Sequence, residues 1–256
     1  MSVLDEKWDL SQRAQEFFVY TTLGIVPKLT FDNGNYREYL KINYSYDVSK
    51  LSYKTYCAFM CAVQAYIDLA RTCEYKEGCD SQKTEFKNSI YSYLAEHSIA
   101  NENTDTLIEN VHCKANKYNI FLRDGKAAEF TYGQSQKWVN MTLKYLYLLG
   151  IIKNTKGLHV PIDSYIIEAL WDERNSEIKI PRSKRLDKEG NELYSEEKYK
   201  EHRKKYCYSD EKVKSWSLWD FENDYDSFRK SLPKGINTKW EHKKWIEISE
   251  KRKGVK

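Results

Sequence analysis

Lys137 and Asp163 are the two residues in this chain whose types and placing best suit chemistry. Each stands at the start of an apolar segment: Lys137 opens "KWVNMTLKYLYLLG" and Asp163 opens "DSYIIEAL". On a helical wheel, Trp138, Val139, Leu143, Tyr145, Leu146 and Leu149 cover most of the first segment. Lys137, Asn140, Met141 and Lys144 share one side, at i, i+3, i+4 and i+7. A narrow polar stripe on a mainly buried helix has to face water, a cleft or a partner, because an unpaired buried lysine is very costly. Before the stripe, Gly133-Gln134-Ser135 reads as a glycine turn that leads into a helix over Gln136–Leu149. The N–H groups of such a turn, with the helix N-terminus behind them, form a phosphate cradle. Asp163 follows Pro161 and takes an N-cap position, a role worth about 1 kcal/mol by itself.

The elements that must position these residues are mostly helices. At 256 residues the chain makes one large domain or two small ones. Only four prolines and ten glycines occur, too few for the turns of a sandwich or barrel. Helices are predicted over "SQRAQEFFVYTTLG" with Gly24 as the stop, over "SKLSYKTYCAFMCAVQAYIDLARTC", and over "SQKTEFKNSIYSYLAEHS" with Phe86, Ile90 and Tyr93 on one face. A further helix opens at Thr104-Asp105 and ends at Gly125. Asn33-Gly34 is a turn signal, and Leu40, Ile42, Tyr44 and Tyr46 alternate with polar residues, so a small N-terminal β-hairpin is expected there. After Asp163 come a short helix, a basic loop over residues 180–190, and helices near Ser195–Tyr206 and Trp216–Leu232, the second ended by Pro233-Lys234-Gly235. Trp240 and Trp245 indicate a packed tail.

No run of about 18 apolar residues occurs, and the polar, acidic start "MSVLDEKWDLSQRAQ" lacks the apolar core of a signal peptide. A cytoplasmic protein without membrane contact is expected, with Cys57, Cys61, Cys73, Cys79, Cys113 and Cys207 as thiols. No CxxC pair marks a zinc ribbon. Net charge is +4 and unevenly spread. Residues 1–130 carry 15 Lys+Arg against 18 Asp+Glu, and the remainder carries 27 against 20. The excess gathers in "PRSKR" (Arg182, Lys184, Arg185), "KYKEHRKK" and "KRK" near the end. Such clusters neutralise phosphates, although interleaved acids also fit a solvated helical face.

The two segments together resemble the helix-hairpin-helix DNA glycosylase superfamily, of the endonuclease III and 8-oxoguanine glycosylase type. The family's hairpin, roughly G-h-G-x-K-[TV]-A, is matched by Gly133-Gln134-Ser135-Gln136-Lys137-Trp138-Val139. Its downstream P-h-D-[ST]-H-h is matched by Pro161-Ile162-Asp163-Ser164-Tyr165-Ile166. The resemblance spans about forty residues, Phe130 to Trp171. Ser135 replaces the second hairpin glycine, Tyr165 replaces the usual histidine, and only Cys207 follows Asp163, so the four-cysteine iron–sulfur site of endonuclease III is absent.

The resemblance implies a mainly α fold in which two helical subdomains, residues 1–125 and 126–256, flank a DNA-binding cleft with a helix-hairpin-helix motif and form one compact unit. It implies Asp163 as the catalytic carboxylate and Lys137 as a Schiff-base nucleophile. Breaking an N-glycosidic bond builds oxocarbenium character that a carboxylate stabilises, and a lysine amine attacks only as the neutral base. Gly133, Gln134, Ser135 and Gln136 would hold the DNA backbone, with Arg182, Lys184 and Arg185 extending that surface. Asn140, Lys144, His159 and Tyr165 are candidates for the pocket of an extruded base. No metal and no cofactor is expected, apart from a monovalent cation at the hairpin; the partner is double-stranded DNA and the state monomeric. The substrate is an oxidised base or a hypermodified base of phage DNA, the latter a defence role. Rival readings are a non-catalytic DNA-binding helical protein and an RNA- or protein-interaction module.

Overall fold

One helix, Tyr132–Leu148, organises the molecule, and every residue from Tyr132 to Leu146 on it is buried. A computed structural model describes residues 21–26, 32, 34, 36–44, 51–100, 102–153, 157–172, 215–233, 236 and 238–253. In chain order these hold α1 (Tyr36–Tyr44), α2 (Tyr53–Ala70), β1 (Glu74–Tyr75), α3 (Asp80–His97), α4 (Thr104–Asn116), β2 (Phe121–Arg123), β3 (Lys126–Ala128), α5 (Tyr132–Leu148) and α6 (Ser164–Asp172). A 3-10 turn (Trp216–Leu218), a π-helical turn (Phe221–Asp226), α7 (Ser227–Ser231) and α8 (Thr238–Arg252) follow. The protein is mainly helical, and among the described residues no helix is long and apolar enough to cross a membrane.

α5 packs against α2 and α4, and the 3-10 turn lies on its N-terminal end. Trp138 is fully buried between these layers, meets Tyr66, Phe86, Tyr91 and Phe130 ring to ring, and donates its indole N–H to Ala62 O at 2.9 Å. Truncating it to alanine would cost about 3–5 kcal/mol. α2 is held at its start by Ser52, which accepts from Thr55 N, and Cys57 and Cys61 fill small buried sites on it. α6 and α8 pack together, tied by buried Glu168, whose Oε2 accepts from Arg252 at 2.7 Å. Lys251, 45% exposed, lies 3.7 Å from the same carboxylate.

Three expectations are corrected. Residues 36–44 form a helix, not a strand: Leu40 is buried and Tyr44 packs on Phe59 and Tyr91, whereas Ile42 is 70% exposed. Leu40 and Tyr44, at i and i+4, are one helical face that period-2 reading had split. α4 ends at Asn116 rather than Gly125, and a hairpin follows. Asp124 (φ 51°) and Gly125 (φ 73°) are both left-handed between paired Arg123 and Lys126, the two-residue turn that Asp-Gly favours. β1 pairs antiparallel with β2 to complete a three-stranded sheet in the order β1-β2-β3. Third, the region expected as a helix over Trp216–Leu232 is broken into the 3-10 turn, the π turn and α7. The helix expected over residues 195–206 lies outside the described residues, as does most of the first helix, whose stop, Gly24, has φ +63°.

Candidate active site

The start of α5 differs from its sequence reading, and the difference reshapes the site. The helix begins at Tyr132, four residues early, because Thr131 and Gln134 form a capping box: Thr131 Oγ1 accepts from Gln134 N at 3.1 Å, and Thr131 N donates to Gln134 Oε1 at 2.9 Å. Gly133 is therefore helical. Its N–H donates to Trp219 O at 3.0 Å, and a Cβ there would lie 1.8 Å from Trp216 O. Glycine is needed for this close approach of the 3-10 turn. Gln134, Ser135 and Gln136 are buried beneath it. The expected phosphate-gripping turn, with Gly133, Gln134, Ser135 and Gln136 on DNA and a cation at its N–H groups, is thus corrected: those groups are covered by residues 216–219 or bonded within the protein.

Gln136 has a different task. Its Nε2 donates to Ile162 O at 2.9 Å, and its Oε1 accepts from Ile162 N at 3.2 Å. The amide acts as a strand partner for the residue before Asp163. One residue further along each segment, Lys137 Nζ donates to Asp163 Oδ2 at 2.6 Å. The two side chains are 7% and 11% exposed. The other oxygen, Asp163 Oδ1, accepts from Tyr165 N and Ile166 N at 3.0 and 3.1 Å, so the same carboxylate caps α6 and pairs with the amine. Burial alone would raise the Asp163 carboxyl. The Lys137 charge and hydrogen bond, the Ile166 N–H and the Lys144 charge override burial and hold it below the usual range.

The pair forms part of the wall of a cavity of about 540 Å³, within the range of small-molecule pockets, roughly 300–1,000 Å³. α5 contributes Lys137, Met141, Lys144 and Tyr145; α8 contributes Glu241, His242 and Trp245; Tyr165 and Trp216 complete an aromatic lining. Lys144 Nζ lies 2.7 Å from Glu241 Oε2, both largely buried, which ties α8 to α5. Tyr145 donates to Asp68 at 2.5 Å, and burial first, then that carboxylate, push its hydroxyl far up. Trp245 stacks on Tyr165 at 4.9 Å and 22° yet remains 40% exposed, and the Arg252 guanidinium lies 3.9 Å from the Tyr165 ring centre. At the rim, the Arg71 side chain has no hydrogen bond or ion pair among the described residues.

The structure thus brings together Lys137, Asp163, Lys144 and Tyr165 around one cavity. Asn140 and His159 are corrected: neither lines it. Asn140 Nδ2 donates to Gln136 Oε1 at 3.0 Å and lies 3.4 Å from Tyr225 Oη, on the adjoining strip of α5. His159 bridges Tyr225 Oη and Arg229, both at 3.0 Å. Burial, helped by Arg229 and opposed by Asp105, lowers His159 to about 4, so it is neutral at pH 7. Arg182, Lys184 and Arg185 lie outside the described residues. Glu241, His242, Asp68 and Arg71 are not marked by the sequence, and Trp245 is marked there only as part of a packed tail. Only Lys144, a buried lysine in want of an anion, hinted at a carboxylate such as Glu241. Set against known proteins, the chain matches no family model, no curated protein and no solved structure.

Proposed function

We propose that the protein is a DNA N-glycosylase that takes an extruded base into the aromatic cavity and cleaves its glycosidic bond. One observation carries this reading: an amine and a carboxylate 26 residues apart in sequence meet at 2.6 Å on the wall of a cavity lined by Tyr165, Trp216 and Trp245. The base enters the cavity and stacks on the open side of Trp245. The Lys144–Glu241 pair offers a donor and an acceptor to its polar edge.

Asp163 stands ionised beside the sugar, where positive charge develops as the bond breaks. When Lys137 attacks, a bond forms between Nζ and C1′, and the bond from C1′ to the base nitrogen breaks. The electron pair leaves with the base. The proton that Lys137 must lose has its acceptor at Asp163 Oδ2, 2.6 Å away. Opening of the sugar ring then leaves a Schiff base, and strand scission by elimination can follow. Attack by water on the same cation leaves an abasic site instead.

The reading does not rest on the hairpin grip, whose residues Gly133–Gln136 are buried. Double-stranded DNA is the proposed partner of a monomer. An oxidised base or a hypermodified base of phage DNA is the proposed substrate, the second within a defence role. The test is base release from oxidised, uracil-containing, alkylated and phage-modified DNAs, read by mass spectrometry beside Asp163→Asn. Borohydride trapping of a protein–DNA adduct, lost in Lys137→Gln, separates the amine route from the water route. No base freed from any of these DNAs would overturn the proposal.

A further inference from the structure

On α4, which contributes nothing to the lining of that cavity, Glu109, His112 and Cys113 present three unlike metal-ligating groups at i, i+3 and i+4. One ligand atom of each lies within 4.8 Å of the other two. Cys113 Sγ is already 3.3 Å from Glu109 Oε1. Tetrahedral zinc, with bonds of about 2.0–2.3 Å, places its ligand atoms about 3.3–3.6 Å apart. Rotation of exposed side-chain ends closes the remaining gap.

The cysteine is anomalous in its setting. Cys57, Cys61 and Cys79 are buried and Cys73 is half-buried, whereas Cys113 is exposed. Cysteine is ordinarily among the most buried residues, and an exposed thiol serves no packing purpose. The His112 ring lies beside Tyr132, at 5.8 Å, and neither of its nitrogens has a hydrogen-bond partner among the described residues. Glu109 and His112 both line a second concavity, of about 890 Å³, between α4, the β2–β3 hairpin and the start of α5.

We propose that Glu109, His112 and Cys113 form a binding site for a zinc-class divalent cation, with the fourth coordination position open toward this concavity. The donor set of thiolate, imidazole and carboxylate suits zinc over magnesium or calcium, which take oxygen ligands. Binding breaks the Cys113 S–H bond, forms a sulfur–metal bond and releases the proton to water. Arg123, Asp124, Lys126, Glu129 and Asp220 face the same concavity. The site is independent of the glycosylase reading.

The test is titration of the metal-free, full-length protein with Co²⁺. One equivalent is expected to raise a near-ultraviolet thiolate-to-cobalt charge-transfer band, which Zn²⁺ then abolishes by displacement. Cys113→Ser removes the band, and His112→Ala weakens Co²⁺ binding at least about tenfold. Neither residue is buried, so unchanged circular dichroism and Tm are expected for both variants. No band in the wild type, a band that survives in Cys113→Ser, or unweakened binding in His112→Ala would each overturn the site. Base release, present or absent, does not bear on the outcome.

Discussion

The two flanks of α5 carry similar residues and do different work. Lys137 and Lys144 look into the 540 Å³ cavity, each with a charged partner, Asp163 and Glu241. Gln136 and Asn140, on the adjoining strip of the helix, meet a packed network with Ile162, Tyr225, His159 and Arg229. Both flanks are buried and polar. What separates them is space: on one side charged groups border a void with aromatic walls, and on the other polar groups bond mainly to one another, with Asn140 Oδ1 and Arg229 Nε left over. Buried charges beside a cavity are candidates for chemistry, whereas a packed polar network fixes a unique packing. The network also serves the cavity, because Gln136 holds the backbone next to Asp163.

If the cavity flank is the working one, Asp163→Asn is the most damaging change. Asparagine keeps the α6 cap but takes the charge from the sugar, so base release should fall roughly 10²–10³-fold in single-turnover assays. Removing one partner of a buried pair also costs about 3–5 kcal/mol, visible by urea unfolding. Undiminished release would erase the distinction between the two flanks.

His159 sharpens the contrast through pH. Its folded value, lowered to about 4, lies below the unfolded value of about 6.5, so the unfolded chain takes up the proton first. This contribution to stability is complete above about pH 6.5 and is lost as pH falls toward 4, on the order of 2–3 kcal/mol in all. His159→Gln should flatten that stretch of the stability profile while base release at pH 7.5 stays unchanged. The Asp163 contribution is likewise depressed in its folded value, so it persists above the unfolded carboxyl value and fades only below about pH 4, a separate limb that Asp163→Asn removes.

Smaller effects follow at the edges of each flank. Trp245→Ala takes away the stacking wall, worth about 1–3 kcal/mol per base, and should raise KM about tenfold with kcat less affected. An equal loss in kcat would move Trp245 from binding to the reacting geometry. Asn140→Ala should cost about 1 kcal/mol or less, since its Oδ1 has no partner and deleting that oxygen offsets the lost bonds to Gln136 and Tyr225. Denaturant unfolding would measure it.

Particular residues show why some features were legible and others were not. The helix over Tyr53–Ala70 was readable because a long apolar run between caps has few alternatives. The hairpin at Asp124-Gly125 is equally encoded, but a glycine after a helical pattern is also a helix-stop signal. Thr131 and Gln134 spelled a capping box that outranked Gly133 as the helix start. Lys137 and Asp163 stood out as charges at the mouths of apolar segments, whereas nothing in "TKWEHKKW" marked Glu241 and Trp245 as cavity walls.

The sequence by itself determined a mainly helical protein, most of its helices, and a lysine and an aspartate too costly to bury alone. Local propensity, caps and period-3.6 patterning act within one or two turns, and they are written residue by residue. Only the tertiary structure decided that these two charges bury each other, that Glu241 answers Lys144 across 97 residues, and that Gly133 meets another backbone instead of a phosphate. Those outcomes depend on which helices pack and at what register, a property of long-range shape complementarity that no short window of sequence contains.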